Sequence, residues 1–192
     1  MTTRRDFLKT MTMASAGLAF GAGDVLGARA STTQRKMTDK VKIAYIGIGN
    51  RGEQIISDFA RTGMVEVVAL CDVDMGAAHT QKVMNQYPKA KRFRDFRQMF
   101  DKAGNDFDAV AIATPDHSHF PISMLALASG KHVYVEKPLA RTFYEGELLM
   151  QAALKRPNLA TQVGNQGHSE ANYFQFKAWM DAGIIKDVTA VT

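Results

Sequence analysis

A chain of 192 residues has room for one full domain and little more. Its 46% hydrophobic and 22% charged residues are those of a globular protein, which excludes a disordered or fibrous chain. The net charge of +5 falls partly on the first thirty residues, where Arg4, Arg5, Lys9 and Arg29 stand against Asp6 and Asp24, so 20 basic and 17 acidic residues remain beyond them and no nucleic-acid partner is expected.

In chain order, Thr3-Arg4-Arg5-Asp6-Phe7-Leu8-Lys9 gives a charged start, Met11 to Gly23 a short apolar middle, and Ala28-Arg29-Ala30 a small-x-small end. That pattern predicts a secretory signal over residues 1–30 with cleavage after Ala30, and the paired arginines before Phe7-Leu8-Lys9 resemble a twin-arginine signal. The apolar middle is too short, and too rich in Gly, Ser and Thr, to span a membrane. The expected partner of this segment is the twin-arginine export machinery, and the expected location is periplasmic or otherwise exported. An uncleaved N-terminal arm is the alternative. Residues 31–39 are polar and read as a linker.

Residues 40–74 carry the strongest pattern. Val41 to Ile46 is an apolar run, Gly47-Ile48-Gly49-Asn50-Arg51-Gly52 follows it, a helix is predicted from about Arg51 to Arg61, and a second apolar run, Val65 to Leu70, leads to Asp72. Strand, glycine turn, helix and acid-ended strand form the context in which G-x-G-x-x-G binds a dinucleotide. Gly47 permits the tight turn, Gly49 lets the backbone approach a pyrophosphate, and Gly52 lets the helix pack closely on the strand. Asn50 and Arg51 stand in the same turn, where the starting helix offers free N–H groups and a partial positive charge to the anion. Asp72, twenty residues beyond Gly52, is placed to accept hydrogen bonds from the adenosine ribose, a role Asp74 could share. A carboxylate there repels a 2'-phosphate, so NAD is expected over NADP. An exported enzyme meets little free cofactor, so that dinucleotide is expected to be tightly held and recycled internally. Cys71 cannot form an internal disulfide and reads as a small core residue, with a reactive thiol as the alternative. Five scattered histidines in no H-x-x-H spacing give no metal site.

Beyond Asp72, Ala77 to Tyr87 is predicted as an exposed helix, Lys89 to Arg94 as a solvated loop and strand edge, and Arg94 to Phe100 as a short helix. Asp108 to Ala113 is a third apolar run, ended by Pro115 and followed by a helix to about Ser129. Ligands of an open parallel sheet lie beyond the carboxyl ends of its strands, which makes Thr114, Pro115 and His119 candidates to line the cofactor crevice. For His117 and His119, capping or packing on the helix is the alternative.

Lys131 to Val135 is a further strand, and it runs into Glu136-Lys137-Pro138. A lysine at a strand end, before a proline that restricts its backbone, is placed to hydrogen-bond a substrate hydroxyl and help move its proton. A surface ion pair with Glu136 is the alternative. Thr142 to Lys155 is an amphipathic helix and Leu159 to Val163 a strand. The turn Gly164-Asn165-Gln166-Gly167-His168-Ser169 then brings Asn165 and Gln166 to the same crevice. Tyr173 to Ala182 is a helix closed by Gly183, and Asp187 to Thr192 begins another strand.

The glycine motif, Asp72, Ala113-Thr114-Pro115 through His119, Glu136-Lys137-Pro138 and Gln162 through Ser169 together resemble the Gfo/Idh/MocA oxidoreductases over about Lys40 to Thr192. The resemblance implies an α/β fold: a Rossmann-type doubly wound parallel sheet over residues 40–168, then, at residues 169–192, the start of a truncated second α/β domain. In the family that domain carries much of the substrate pocket, a second catalytic residue and the oligomer interface, so a full-length homo-oligomer is expected. The implied activity is NAD(P)-dependent oxidation or reduction of a CH–OH carbon on a sugar, cyclitol or glycoside. Lys137 is then the catalytic residue, in preference to a surface ion pair. Gly47, Gly49, Asn50, Arg51, Gly52, Asp72, Thr114, Pro115, His119, Glu136, Lys137, Asn165 and Gln166 form the cofactor set. A branch of the same family hydrolyses glycosides by transient oxidation with bound NAD, and it shares every motif present. The family's second catalytic residue has no counterpart in this sequence, so the chain alone is expected to be incomplete and inactive. A non-catalytic dinucleotide-binding fragment is the third reading.

Overall fold

The computed structural model describes residues 40–190, so the expected signal and linker lie outside the described residues. The expected strands become β1 (Val41–Ile46), β2 (Val65–Cys71), β4 (Ala109–Ile112), β5 (His132–Glu136) and β6 (Thr161–Gly164), and the basic strand edge becomes β3 (Lys91–Phe93). Between and after them stand helices α1 (Arg51–Arg61), α2 (Ala78–Gln86), α3 (Phe96–Ala103), α4 (His119–Ala128), α5 (Phe143–Leu154) and α6 (Ala171–Asp181). The strands form one sheet, every pair parallel, in the order β3-β2-β1-β4-β5-β6. This is the Rossmann order, and it reverses between β1 and β4, where a ligand crevice opens at the carboxyl edge.

A parallel strand in this position is buried on both faces, which is why β1 is apolar without alternation from Ile43 to Ile46. Ile43 and Tyr45 pack with Ile55 and Ile56 of α1 and Val83 and Met84 of α2. Ala44 and Ile46 pack on the other side with Met99 and Phe100 of α3, Ile122 and Leu127 of α4, and Leu149 of α5. Local signals set the helix starts. Asp95 caps α3 by accepting the Arg97 N–H at 2.9 Å, so that helix begins at Phe96 and not at Arg94. Thr142 and Glu145 form a reciprocal capping box at α5.

Two further segments depart from expectation. β6 begins at Thr161 because Leu159 belongs to a turn, its N–H donating to the Arg156 carbonyl at 2.9 Å, although its side chain still packs on the core. Lys186–Ala190 has no regular structure, and Asp187 sits at φ 54°, so the described part of the expected final strand does not form. A strand exists only as one side of a ladder, and no described segment pairs with this one. Helix α6 buries none of its residues, and its Phe174, Phe176 and Trp179 are exposed.

Candidate functional site

The turn after β1 is built by close backbone contact. Gly47 adopts φ 80°, and a Cβ on it would lie 2.6 Å from the Ala113 carbonyl oxygen, across the switch point. A Cβ on Gly52 would overlap the Gly47 carbonyl oxygen, so α1 can start this close to β1 only without one. A Cβ on Gly49 would overlap the ring of His79, which reaches over the turn from α2. Asn50 holds φ 48° and ψ −105° between Gly49 and Gly52, whose N–H donates to the Gly49 carbonyl at 2.9 Å. That conformation suits glycine, and an L residue there is strained.

Asp72 stands one residue past β2. Its Oδ2 accepts the Ile48 N–H at 2.9 Å and its Oδ1 the Asp74 N–H at 2.9 Å, so the carboxylate is fastened to the glycine turn itself. A carboxylate offers about four lone-pair positions, which leaves acceptor capacity beyond these two bonds. Cys71, next to it, is buried, and its thiol is pushed up to about 12, by burial first and then by the charges of Asp95 and Asp72.

At the ends of β4 and β5 the side chains take over. The Thr114 hydroxyl is buried without a hydrogen-bond partner, and the Thr114 backbone nitrogen lies 2.8 Å from where a Gly47 Cβ would stand. Pro115 is exposed beside it. His119 is 1% exposed, with Nδ1 2.6 Å from the Pro138 carbonyl oxygen and Nε2 2.8 Å from that of Thr114. Both ring nitrogens are therefore spent on backbone, and His119 ties the β4 turn to the β5 turn rather than facing a cofactor. A one-residue motif position cannot show whether a ring points into the crevice or down into the fold.

Glu136 is 4% exposed and does not pair with Lys137. Its Oε1 accepts from Arg51 Nε at 3.1 Å, from Arg51 Nη2 at 2.9 Å and from the Tyr134 hydroxyl at 3.2 Å. The Arg51 side chain thus turns toward β5, and Glu136 raises the pKa of its guanidinium. The Tyr134 hydroxyl is pushed up by burial first and by the Glu136 charge second. Gly164 pairs with Glu136 across β5 and β6, and a Cβ on it would lie 2.5 Å from the Tyr134 hydroxyl oxygen and 2.6 Å from Glu136 Oε1. Lys137 is exposed, has no partner among the described residues, and precedes Pro138 through a cis peptide bond. Asn165 and Gln166 line a polar cavity of about 470 Å³ with Tyr134, Gln162, His168 and Ser169.

Tyr134 and His79 were not singled out by motif, and Gly164 was named only as the start of the turn after β6. Strand alternation could have placed Tyr134 on the face opposite Val133 and Val135. Among the described residues no group of three or more His, Cys, Asp or Glu side chains could hold a metal, and no helix is long and apolar enough to cross a membrane. A dinucleotide fits this edge: the glycine turn brings the N-terminus of α1 to the carboxyl end of β1, and the buried Thr114 hydroxyl lacks a partner beside it.

The family model for the oxidoreductase family with NAD-binding Rossmann fold, Gfo/Idh/MocA, matches residues 41–165. Glycosyl hydrolase family 109 protein 2 of a Shewanella species is 31% identical over 161 residues, covering 74% of this chain and 35% of that protein. Inositol 2-dehydrogenase of Salmonella typhimurium is 31% identical over 147 residues, covering 76% of this chain and 43% of that one. The crystal structure of scyllo-inositol dehydrogenase from Lactobacillus casei, with bound NAD(H) and scyllo-inositol, superposes with a TM-score of 0.68 at 27% identity, covering 79% of this chain and 44% of that one. This chain therefore spans less than half the length of the relatives it matches. Over the matched residues the glycine turn, the switch-point sheet and the family model coincide, and the chain belongs to the Gfo/Idh/MocA family of NAD-binding oxidoreductases.

Proposed function

We propose that this chain is the cofactor-holding part of an exported oxidoreductase that uses a tightly bound NAD on a CH–OH group of a sugar, cyclitol or glycoside. The observation that carries the reading is the free Lys137 side chain at the same sheet edge as the glycine turn, anchored on both sides by Glu136 and Pro138. When bound, the nicotinamide accepts hydride from the carbinol carbon. Gly47 and Gly52 let the turn close tightly between β1, β4 and α1, and the α1 N-terminus supplies N–H groups to the pyrophosphate. Asp72 accepts from the adenosine ribose and repels a 2'-phosphate, which favours NAD over NADP. Lys137 hydrogen-bonds the substrate hydroxyl and moves its proton as the C–H bond is broken.

The similarity to glycosyl hydrolase family 109 proteins supports a second reading, in which hydride returns to the sugar and a glycoside is cleaved without net oxidation. One experiment separates them. The exported gene product is purified and denatured, and any released dinucleotide is identified by mass and absorbance. The intact protein is then incubated with cyclitols, sugars and aryl glycosides. An oxidised polyol with matching reduced dinucleotide supports oxidation, and a released aglycone without net change supports hydrolysis. A preparation that carries no dinucleotide contradicts the retained-cofactor reading.

A further inference from the structure

Arg51 and Glu136 are 85 residues apart in sequence, yet they join the two turns that face the crevice. Three of the four polar contacts in this cluster converge on one atom, Glu136 Oε1, while Arg51 Nη1 donates to Gln54 Oε1 at 3.0 Å. The guanidinium is thus held by all of its nitrogens. The cluster rests on an aromatic column: the Tyr134 ring meets Phe59 edge-on at 5.3 Å, and Phe59 meets Tyr45 at 6.3 Å. Helix α1 is consequently fastened to β5 at both ends, by Arg51 in its first turn and Phe59 in its last. Gly164 leaves the space that this packing fills.

The neighbour of Glu136 is Lys137, whose amine has no partner among the described residues. Its backbone is fixed from one side by Glu136 on Arg51 and from the other by the Pro138 carbonyl against His119, which also meets the Thr114 carbonyl. A buried carboxylate that loses its partner is costly, so this polar joint couples the position of the lysine's backbone to that of the glycine turn.

We propose that Arg51, Glu136 and Tyr134 form a positioning joint that makes filling of the glycine turn and ordering of the Lys137 segment one event, with Tyr134 a positioning residue for the lysine. The inference rests on the reading that the turn takes a dinucleotide. It is tested by amide hydrogen exchange of the full chain, with and without saturating NADH, alongside thermal melting. In the wild type NADH slows exchange in residues 49–54 and in residues 137–141 together. In Glu136→Gln the protection at 49–54 stays while that at 137–141 falls about tenfold, and in Tyr134→Phe it falls about threefold. If Glu136→Gln melts too low to be assayed, Tyr134→Phe decides. Unchanged protection of 137–141 in Tyr134→Phe and in any assayable Glu136→Gln, or none there in the wild type, overturns the joint alone. No protection of 49–54 in the wild type overturns the dinucleotide reading and the joint with it.

Discussion

The turn after β1 closes by backbone against backbone at Gly47 and Gly52, with the Asp72 carboxylate and the His79 ring against it, whereas the turn after β5 is held by side chains that reach it from α1, α4 and β5 itself. Close backbone packing admits almost no change, and it leaves N–H groups exposed to an anion. Side-chain bracing fixes a backbone while one amine, that of Lys137, stays free to act. The first arrangement suits holding a group, and the second suits presenting one. Substitutions in the two turns should therefore fail differently.

The contrast is broken most severely at Lys137. Lys137→Ala should lower turnover about 1000-fold, while moving the melting temperature by no more than a surface change does. Steady-state kinetics with parallel melting checks this, and a lysine needed for folding would shift both. Gly52→Ala should do the reverse. Its Cβ meets the Gly47 carbonyl oxygen, a backbone atom that cannot swing aside, so a loss of about 3 kcal/mol and roughly 10 °C in melting temperature is expected, with NADH binding lost. Asn50→Gly sharpens the same point with opposite sign, since relief of the strained φ should raise stability by about 1 kcal/mol in a thermal melt.

Away from both turns the effects are smaller. Asp95→Ala removes the α3 cap and should cost about 1 kcal/mol at neutral pH. Arg97 holds the Asp95 carboxyl below the usual carboxylate range, so this contribution is complete above that range and is lost as pH falls through the lowered value. Wild type and variant should then converge in acid melts. Smallest of all is the effect at Cys71: with its thiol raised to about 12, the folded chain should resist alkylation at neutral pH, as mass spectrometry would show.

The glycine turn was legible because its cause is local. The bounds expected for β1 and α1 are those observed, while the bond from the Ile48 N–H to Asp72, which fastens the acid to the turn, was not foreseen. The second turn was legible only as the motif Glu136-Lys137-Pro138. Its bracing was not, because Arg51 and Glu136 meet across 85 residues and His119 bridges carbonyls contributed by two different loops. Sequence spacing reports the period of one element and is silent on which side chains from distant elements converge. For the same reason the strand expected from Asp187 did not form over its described part: a strand depends on a partner, and residues 186–190 have none among the described residues.

The most direct measurement is a fluorescence titration of the purified chain with NADH and, separately, NADPH, on protein shown by its melt to be folded. Saturable binding of one NADH per chain is expected, with NADPH weaker by about tenfold if the Asp72 carboxylate repels a 2'-phosphate on the adenosine ribose. A folded chain that binds neither dinucleotide, or prefers NADPH, would contradict it.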